Sequence, residues 1–119
     1  MKILVIDDDE MTVVALKEKL KKAGHRVIIC LSGIEALKII SNGKFDLIIS
    51  DIIMPDISGF ALVNMLRSFY FSKIPLILMS GYKDKRIMEL TQDLGVRTFI
   101  SKPIDFYELN KKIDEITEK

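Results

Sequence analysis

The sequence predicts an α/β domain: a five-stranded parallel sheet covered by helices on both faces. Three observations carry that expectation. Five short apolar runs rich in β-branched residues recur along the chain. Segments with helical spacing alternate with them, and turn or capping residues mark most of the junctions.

The first run, Ile3-Leu4-Val5-Ile6, is nearly continuous, as suits a strand buried on both faces of a parallel sheet. Val13, Leu16, Leu20 and Ala23 then fall at i, i+3, i+7 and i+10, the stripe of an amphipathic helix, and Gly24 can close its last turn. Val27-Ile28-Ile29 is the second strand. Ser32-x-x-Glu35 is a capping box, in which hydroxyl and carboxylate each satisfy an orphan amide, and Ile34, Leu37 and Ile40 follow at three-residue steps. Leu47-Ile48-Ile49 is the third strand, and Ser58 caps a helix carrying Phe60, Val63 and Leu66. Pro75 stands at the entrance of the fourth strand, Leu76-Ile77-Leu78-Met79, where a missing N–H does least harm. Asp84 caps the helix of Ile87, Leu90 and Leu94, which Gly95 closes. Thr98-Phe99-Ile100 is the last strand, and Asp105 opens a helix with Tyr107, Leu109, Ile113 and Ile116. Right-handed crossovers then make one sheet with helices on either side.

The bulk properties narrow the function classes. At 119 residues one domain is expected, with roughly two-thirds of its unfolded surface buried. Eighteen basic against 17 acidic residues leave a net charge of +1, which gives no basic face for direct nucleic-acid binding. The single cysteine, Cys30, excludes an internal disulfide and a multi-thiolate metal site. No apolar run approaches the roughly 20 residues of a membrane span, and no signal-peptide pattern opens the chain. A soluble, cytoplasmic protein without membrane insertion is expected.

Ligands of such sheets bind beyond the carboxyl ends of the strands. After the first strand come Asp7, Asp8, Asp9 and Glu10; the third ends at Asp51, the fourth at Ser80-Gly81 and the fifth at Lys102-Pro103. Asp7, Asp8 and Asp51 would be like charges at close range, which a cation relieves. An oxygen-only, half-open donor set favours a hard ion, Mg²⁺ in particular. An aspartate can also serve as a nucleophile that forms an aspartyl-phosphate. Lys102 and the Ser80 hydroxyl could stabilise a transferring phosphoryl group, and Gly81 leaves room beside the backbone.

Taken together, Leu4-Val5-Ile6-Asp7-Asp8, the segment from Ile49 to Gly59 (Ile-Ser-Asp-Ile-Ile-Met-Pro-Asp-Ile-Ser-Gly), Leu78-Met79-Ser80-Gly81 and Phe99-Ile100-Ser101-Lys102-Pro103 resemble the receiver domain of two-component response regulators, over the whole chain and in the family's order. The resemblance implies a flavodoxin-like, doubly wound sheet of order 2-1-3-4-5 with five helices. It implies that Asp51 is the phosphoacceptor and that Mg²⁺, or Mn²⁺, is held by Asp7, Asp8, Asp51 and the backbone carbonyl of Ile53. Lys102 is then the phosphoryl partner, Ser80 the switch hydroxyl, Phe99 the aromatic switch, and Lys102-Pro103 a candidate cis peptide. The implied donor is a sensor histidine kinase or phosphotransfer protein. The implied output is a remodelled face of fourth helix, fifth strand and fifth helix, read by a partner. The domain would span 1–119 as a single receiver with no output domain in this chain, a signalling switch and not a turnover enzyme, monomeric or weakly dimeric on phosphorylation.

Two flanking positions depart from the fast-dephosphorylating members of that family. Those members carry polar groups there that help place the attacking water. Ile53, an apolar branched residue two beyond Asp51, and Tyr82, a bulky ring two beyond Ser80, should shield the acyl phosphate instead. Slow autodephosphorylation is expected.

Other features read as structural. Asp9 and Glu10 suit a helix start near the positive dipole end, and Asp56 suits the turn before Gly59. Cys30 reads as a small buried residue on or beside the second strand, and His25 as a surface turn. Lys17, Glu18, Lys19, Lys21 and Lys22 form a solvated helix face with a Glu18–Lys22 pair. Phe69-Tyr70-Phe71 reads as packing under a helix-to-strand connection rather than a contact patch. Two rival functions fit worse. A haloacid-dehalogenase-type phosphatase would want Thr or Val where Met11 stands, and a nucleotide binder needs a phosphate-cradling loop where four acids stand.

Overall fold

The computed structural model describes residues 1–69, 73–81, 85–96 and 98–117, with Phe69 described by its backbone alone. Strands and helices alternate as β1 (Lys2–Ile6), α1 (Glu10–Lys22), β2 (Arg26–Cys30), α2 (Gly33–Asn42), β3 (Leu47–Asp51), α3 (Gly59–Phe69), β4 (Leu76–Ser80), α4 (Lys85–Asp93), β5 (Thr98–Ser101) and α5 (Phe106–Thr117). All neighbouring strands are parallel, in the order β2-β1-β3-β4-β5, the doubly wound flavodoxin-like arrangement. The chain reverses its direction of travel between β1 and β3. Register aligns the strand ends: Ile6 lies opposite Cys30 and Ser50, Asp51 opposite Met79, and Ser80 opposite Ser101. Residues that leave these strands therefore emerge along one edge.

Alternation along each strand divides the core into two layers. Leu4, Ile6, Ile48, Leu78 and Phe99 face α2, α3 and α4, while Ile3, Val5, Ile49, Ile77, Met79 and Ile100 face α1 and α5. Central strands β3 and β4 are buried along their whole length. At about 2 kcal/mol for each fully buried Ile or Leu, this double layer dominates the frame. The expectation of strands buried on both faces fails at β2, where Ile28 is half-exposed because β2 is an edge.

Capping follows the sequence, except that the box at Ser32 is formed by its hydroxyl alone, with no return bond to the Glu35 carboxylate. Ser32 Oγ accepts the Glu35 N–H at 3.1 Å, Ser58 Oγ the Ala61 N–H at 3.1 Å, and Asp105 the Tyr107 and Glu108 N–H groups at 2.9 and 3.3 Å. Asp9 is the N-cap of α1, accepting from the Met11 N–H and the Thr12 hydroxyl. Gly24 and Gly95 take φ of +96° and +75°, where a side chain would be strained. Glu18 and Lys22 pair at 3.6 Å.

Four helix-face assignments need correction, the first being Ala23, which is exposed and caps α1 beyond its last residue instead of joining the stripe of Val13, Leu16 and Leu20. A three-residue step falls about 60° short of a full helical turn, so a strict repeat of three rotates off the core. From buried Ile40 through half-buried Leu37, the series reaches Ile34 at 49% exposure, and Gly33 and Ala36 take the inner places. Leu90 likewise faces outward, while Ile87, Met88, Thr91 and Leu94 face in. In α5, Tyr107 is 79% exposed, since two residues of separation from Leu109 cannot share a helix face; Phe106 packs inward instead.

Cys30 ends β2, buried, with its thiol donating to the Ser32 carbonyl; burial pushes that thiol up to about 11. Asp84, Tyr82 and the Phe69-Tyr70-Phe71 cluster (Phe69 by its side chain) lie outside the described residues. Among the described residues no helix is long and apolar enough to cross a membrane.

Candidate functional site

Each chemical group of the site stands where a buried strand runs out. Asp7 follows β1 directly and is wholly buried; its N–H donates to the Cys30 carbonyl at 3.2 Å, continuing the ladder one residue. Its Oδ1 accepts the Asp9 N–H at 2.9 Å and its Oδ2 the Lys102 ammonium at 2.7 Å. Asp51 ends β3; its Oδ1 accepts the Ile52 N–H at 3.0 Å, and its Oδ2 lies 3.2 Å from Lys102 Nζ. Asp8 is exposed, and carboxylate oxygens of Asp7, Asp8 and Asp51 all lie within 4.8 Å of one another. One ammonium thus bridges two buried carboxylates, with a third at the mouth.

Lys102 reaches this point because β5 ends beside β4. Its N–H donates to the Ser80 carbonyl at 2.8 Å, and its peptide bond to Pro103 is cis. Ser80 is buried at the end of β4, and a Cβ on Gly81 would meet only open space. Ile53 is exposed, two residues beyond Asp51. Phe99 is buried in the layer of α2, α3 and α4.

The electrostatics are those of crowded like charges. Burial, then the charge of Asp7, pushes the Asp51 carboxyl above the ordinary carboxylate value despite Lys102. Burial works against the Lys102 charge, yet its hydrogen bond to Asp7 and the charges of Asp51 and Asp7 hold its pKa above the ordinary lysine value. One monovalent cation leaves three clustered carboxylates under-compensated. Oxygen-only donors at a half-open site suit Mg²⁺ or Mn²⁺, so the residues present fit a divalent ion.

Two local features were missed in the sequence. A Cβ at Gly59 would stand 2.5 Å from the Asp51 carbonyl oxygen and 2.9 Å from Ile52 Cα, so only glycine lets α3 start against the end of β3. The turn closes through the Gly59 N–H on the Ile52 carbonyl at 2.7 Å. Asp56 does accept the Ile57 N–H at 2.8 Å, as a turn residue would. The same carboxylate also accepts the Gly33 and Ile34 N–H groups, at 3.2 and 2.8 Å, at the start of α2. Burial is the largest single influence and works to raise it, but the Ile34, Ile57 and Gly33 amides together hold the Asp56 carboxyl below its ordinary value.

Comparison with known proteins agrees with this geometry. A family model, the response regulator receiver domain, matches residues 3–114. A two-component response regulator from Clostridium difficile superposes with a TM-score of 0.94 at 26% identity, covering 100% of this chain and 97% of that one. A Thermotoga maritima response regulator, solved in complex with Mg²⁺–BeF, superposes with a TM-score of 0.85 at 32% identity over 97% of each chain. The alkaline phosphatase synthesis transcriptional regulatory protein PhoP of Bacillus subtilis is 30% identical over 118 residues, 99% of this chain and 49% of that protein. The chain spans about half or less of the length of the curated relatives it matches first. With the sheet order, the acidic cluster and the family match in agreement, the chain belongs to the response regulator receiver domains of two-component systems.

Proposed function

We propose that Asp51 accepts a phosphoryl group from a phosphohistidine on a sensor histidine kinase or phosphotransfer protein, and that the modified domain then switches a partner. The supporting observation is the convergence of Asp7, Asp8, Asp51 and Lys102 within ion-pair and metal-ligand distances. In this reading an Asp51 carboxylate oxygen attacks phosphorus. The new P–O bond forms as the P–N bond to the imidazole breaks, and the ring keeps that electron pair. Asp7, Asp8, Asp51 and the Ile53 carbonyl would hold Mg²⁺ or Mn²⁺; the T. maritima neighbour was itself solved in complex with Mg²⁺–BeF, and the three carboxylates cluster here. When bound, the ion neutralises charge on the phosphoryl oxygens and among the carboxylates. Lys102 moves its ammonium from Asp51 to the phosphoryl oxygens, and the Ser80 hydroxyl donates to them.

Ser80 and Phe99 couple that event to the surface of α4, β5 and α5. Leu90 and Tyr107 stand exposed on α4 and α5, which gives the face apolar area for a partner to cover. The reading is of a cytoplasmic switch rather than a turnover enzyme, a compartment in which a lone thiol stays reduced.

Incubation with acetyl phosphate and Mg²⁺, followed by intact-mass measurement, tests the reading. One phosphoryl adduct that fails to form when Mg²⁺ is chelated is expected. No adduct with any donor overturns it, and steady turnover of a phosphate monoester replaces it with a phosphatase. Ile53, apolar and exposed beside Asp51, further predicts a long-lived adduct. A half-life of seconds with Mg²⁺ present would contradict that.

A further inference from the structure

The segment between β3 and α3 holds the Ile53 carbonyl, and its two ends are fixed in different ways. At its neck, Gly59 lies against the Asp51 carbonyl and bonds Ile52, so the seven residues 52–58 form a closed loop. Behind Ile53, Met54 is buried in the α2–α3–α4 layer. At its far end the attachment is to another element altogether. The Asp56 carboxylate takes the first two amides of α2, Gly33 and Ile34, while Ser32 takes the third, Glu35. Ile57 packs where any Cβ on Gly33 would fall.

A helix needs its early amides satisfied, and Ser32 alone would be an ordinary cap. Bringing a carboxylate from a segment more than 20 residues away adds a tether, because Oδ1, which takes the Gly33 N–H, also accepts the Ile57 N–H while Oδ2 takes Ile34. The loop is thereby drawn onto a helix that is itself packed on the sheet. A backbone carbonyl can serve as a metal ligand only if its loop keeps one position, and residues behind metal ligands are what fix such positions.

We infer that Asp56 is a positioning residue for the divalent-ion site: by clamping the loop of residues 52–58 to the N-terminus of α2, it holds the Ile53 carbonyl where the ion needs it. This rests on the phosphoryl-transfer reading above, in which that carbonyl is a ligand.

The test compares Asp56→Ala with Ser32→Ala. Both remove caps from the same helix, but only the first releases the loop. Both are expected to lower the thermal midpoint by similar amounts, roughly 4 °C for a typical cap. Mg²⁺ titration by calorimetry should show roughly tenfold weaker binding for Asp56→Ala, the low end for supporting residues around a metal, and wild-type binding for Ser32→Ala. Asp56→Asn, which keeps one acceptor oxygen, should fall between. The phosphorylation rate of Asp56→Ala from acetyl phosphate should drop at limiting Mg²⁺ and recover at saturating Mg²⁺. If Asp56→Ala loses stability but binds Mg²⁺ like the wild type, Asp56 is a helix cap only and the inference is overturned. Equal weakening in Ser32→Ala also overturns it, since the helix and not the loop would then be responsible. Absence of Mg²⁺ binding by the wild type defeats the phosphoryl-transfer reading itself, a result distinct from either of these.

Discussion

Asp51→Asn takes up no phosphoryl group from acetyl phosphate where the wild type gains one adduct, and its Mg²⁺-free form melts higher than the wild type. The first effect is chemical: an amide offers no carboxylate oxygen for an acyl phosphate. The second follows from charge. Burial and the charge of Asp7 raise the Asp51 pKa in the fold, so the folded protein releases that proton less readily than the unfolded chain. A carboxyl shifted in this direction loses stability as pH rises from its unfolded value through the raised one, and the deficit persists at neutrality. Asparagine keeps the shape and removes the deficit. Added Mg²⁺ should reverse the order, because an ion bound only to the folded state stabilises by about 2.7 kcal/mol at a hundredfold excess over Kd, and the variant has lost one ligand. Thermal melts with and without Mg²⁺, beside intact masses, check both effects. An adduct surviving on Asp51→Asn would move the acceptor elsewhere, and a lower Mg²⁺-free midpoint would contradict the charge account.

Much of this site was legible because its chemistry is local to strand ends. Asp7 and Ser80 follow a buried apolar run directly, Asp51 and Lys102 one serine later (Ser50 and Ser101), and parallel strands present their carboxyl ends along one edge. Caps such as Ser32, Ser58 and Asp105 were legible for the same reason, since donor and acceptor lie three residues apart or fewer. Sheet order came through family resemblance alone, as apolar periodicity marks faces and does not say which strands are neighbours. The outward turn of Ile34, Leu90 and Tyr107 reflects spacing patterns too short to fix a helix face. Asp56 was half legible. Its turn role is local, but its grip on Gly33 and Ile34 spans 23 and 22 positions, and no periodic pattern records such a contact.

Lys102→Ala should separate two roles that one ammonium plays. Among the described residues Lys102 is the cation within ion-pair distance of both Asp7 and Asp51. Its removal leaves Asp7, wholly buried, with the Asp9 N–H but, among the described residues, no opposite charge within ion-pair distance. Breaking a fully buried pair costs about 3–5 kcal/mol, but the Lys102 side chain is 24% exposed and water can enter, so a loss of about 2 kcal/mol is expected without Mg²⁺. A divalent ion can take over the compensation of Asp7 and Asp51, and the stability loss should shrink to below about 1 kcal/mol when it is added. The rate should not recover. Charge on the transferring phosphoryl oxygens then lacks the ammonium, and removing one such donor typically costs about 10²–10³-fold. Lys102→Arg refines the distinction: it keeps the positive charge beside Asp7, but its planar fork replaces a compact ammonium at the phosphoryl group, so stability should return more fully than rate. Denaturant melts and single-turnover phosphorylation, each at zero and saturating Mg²⁺, read the two roles apart. If Mg²⁺ restored the Lys102→Ala rate together with its stability, the lysine would be a brace for Asp7 and not a partner of the phosphoryl group.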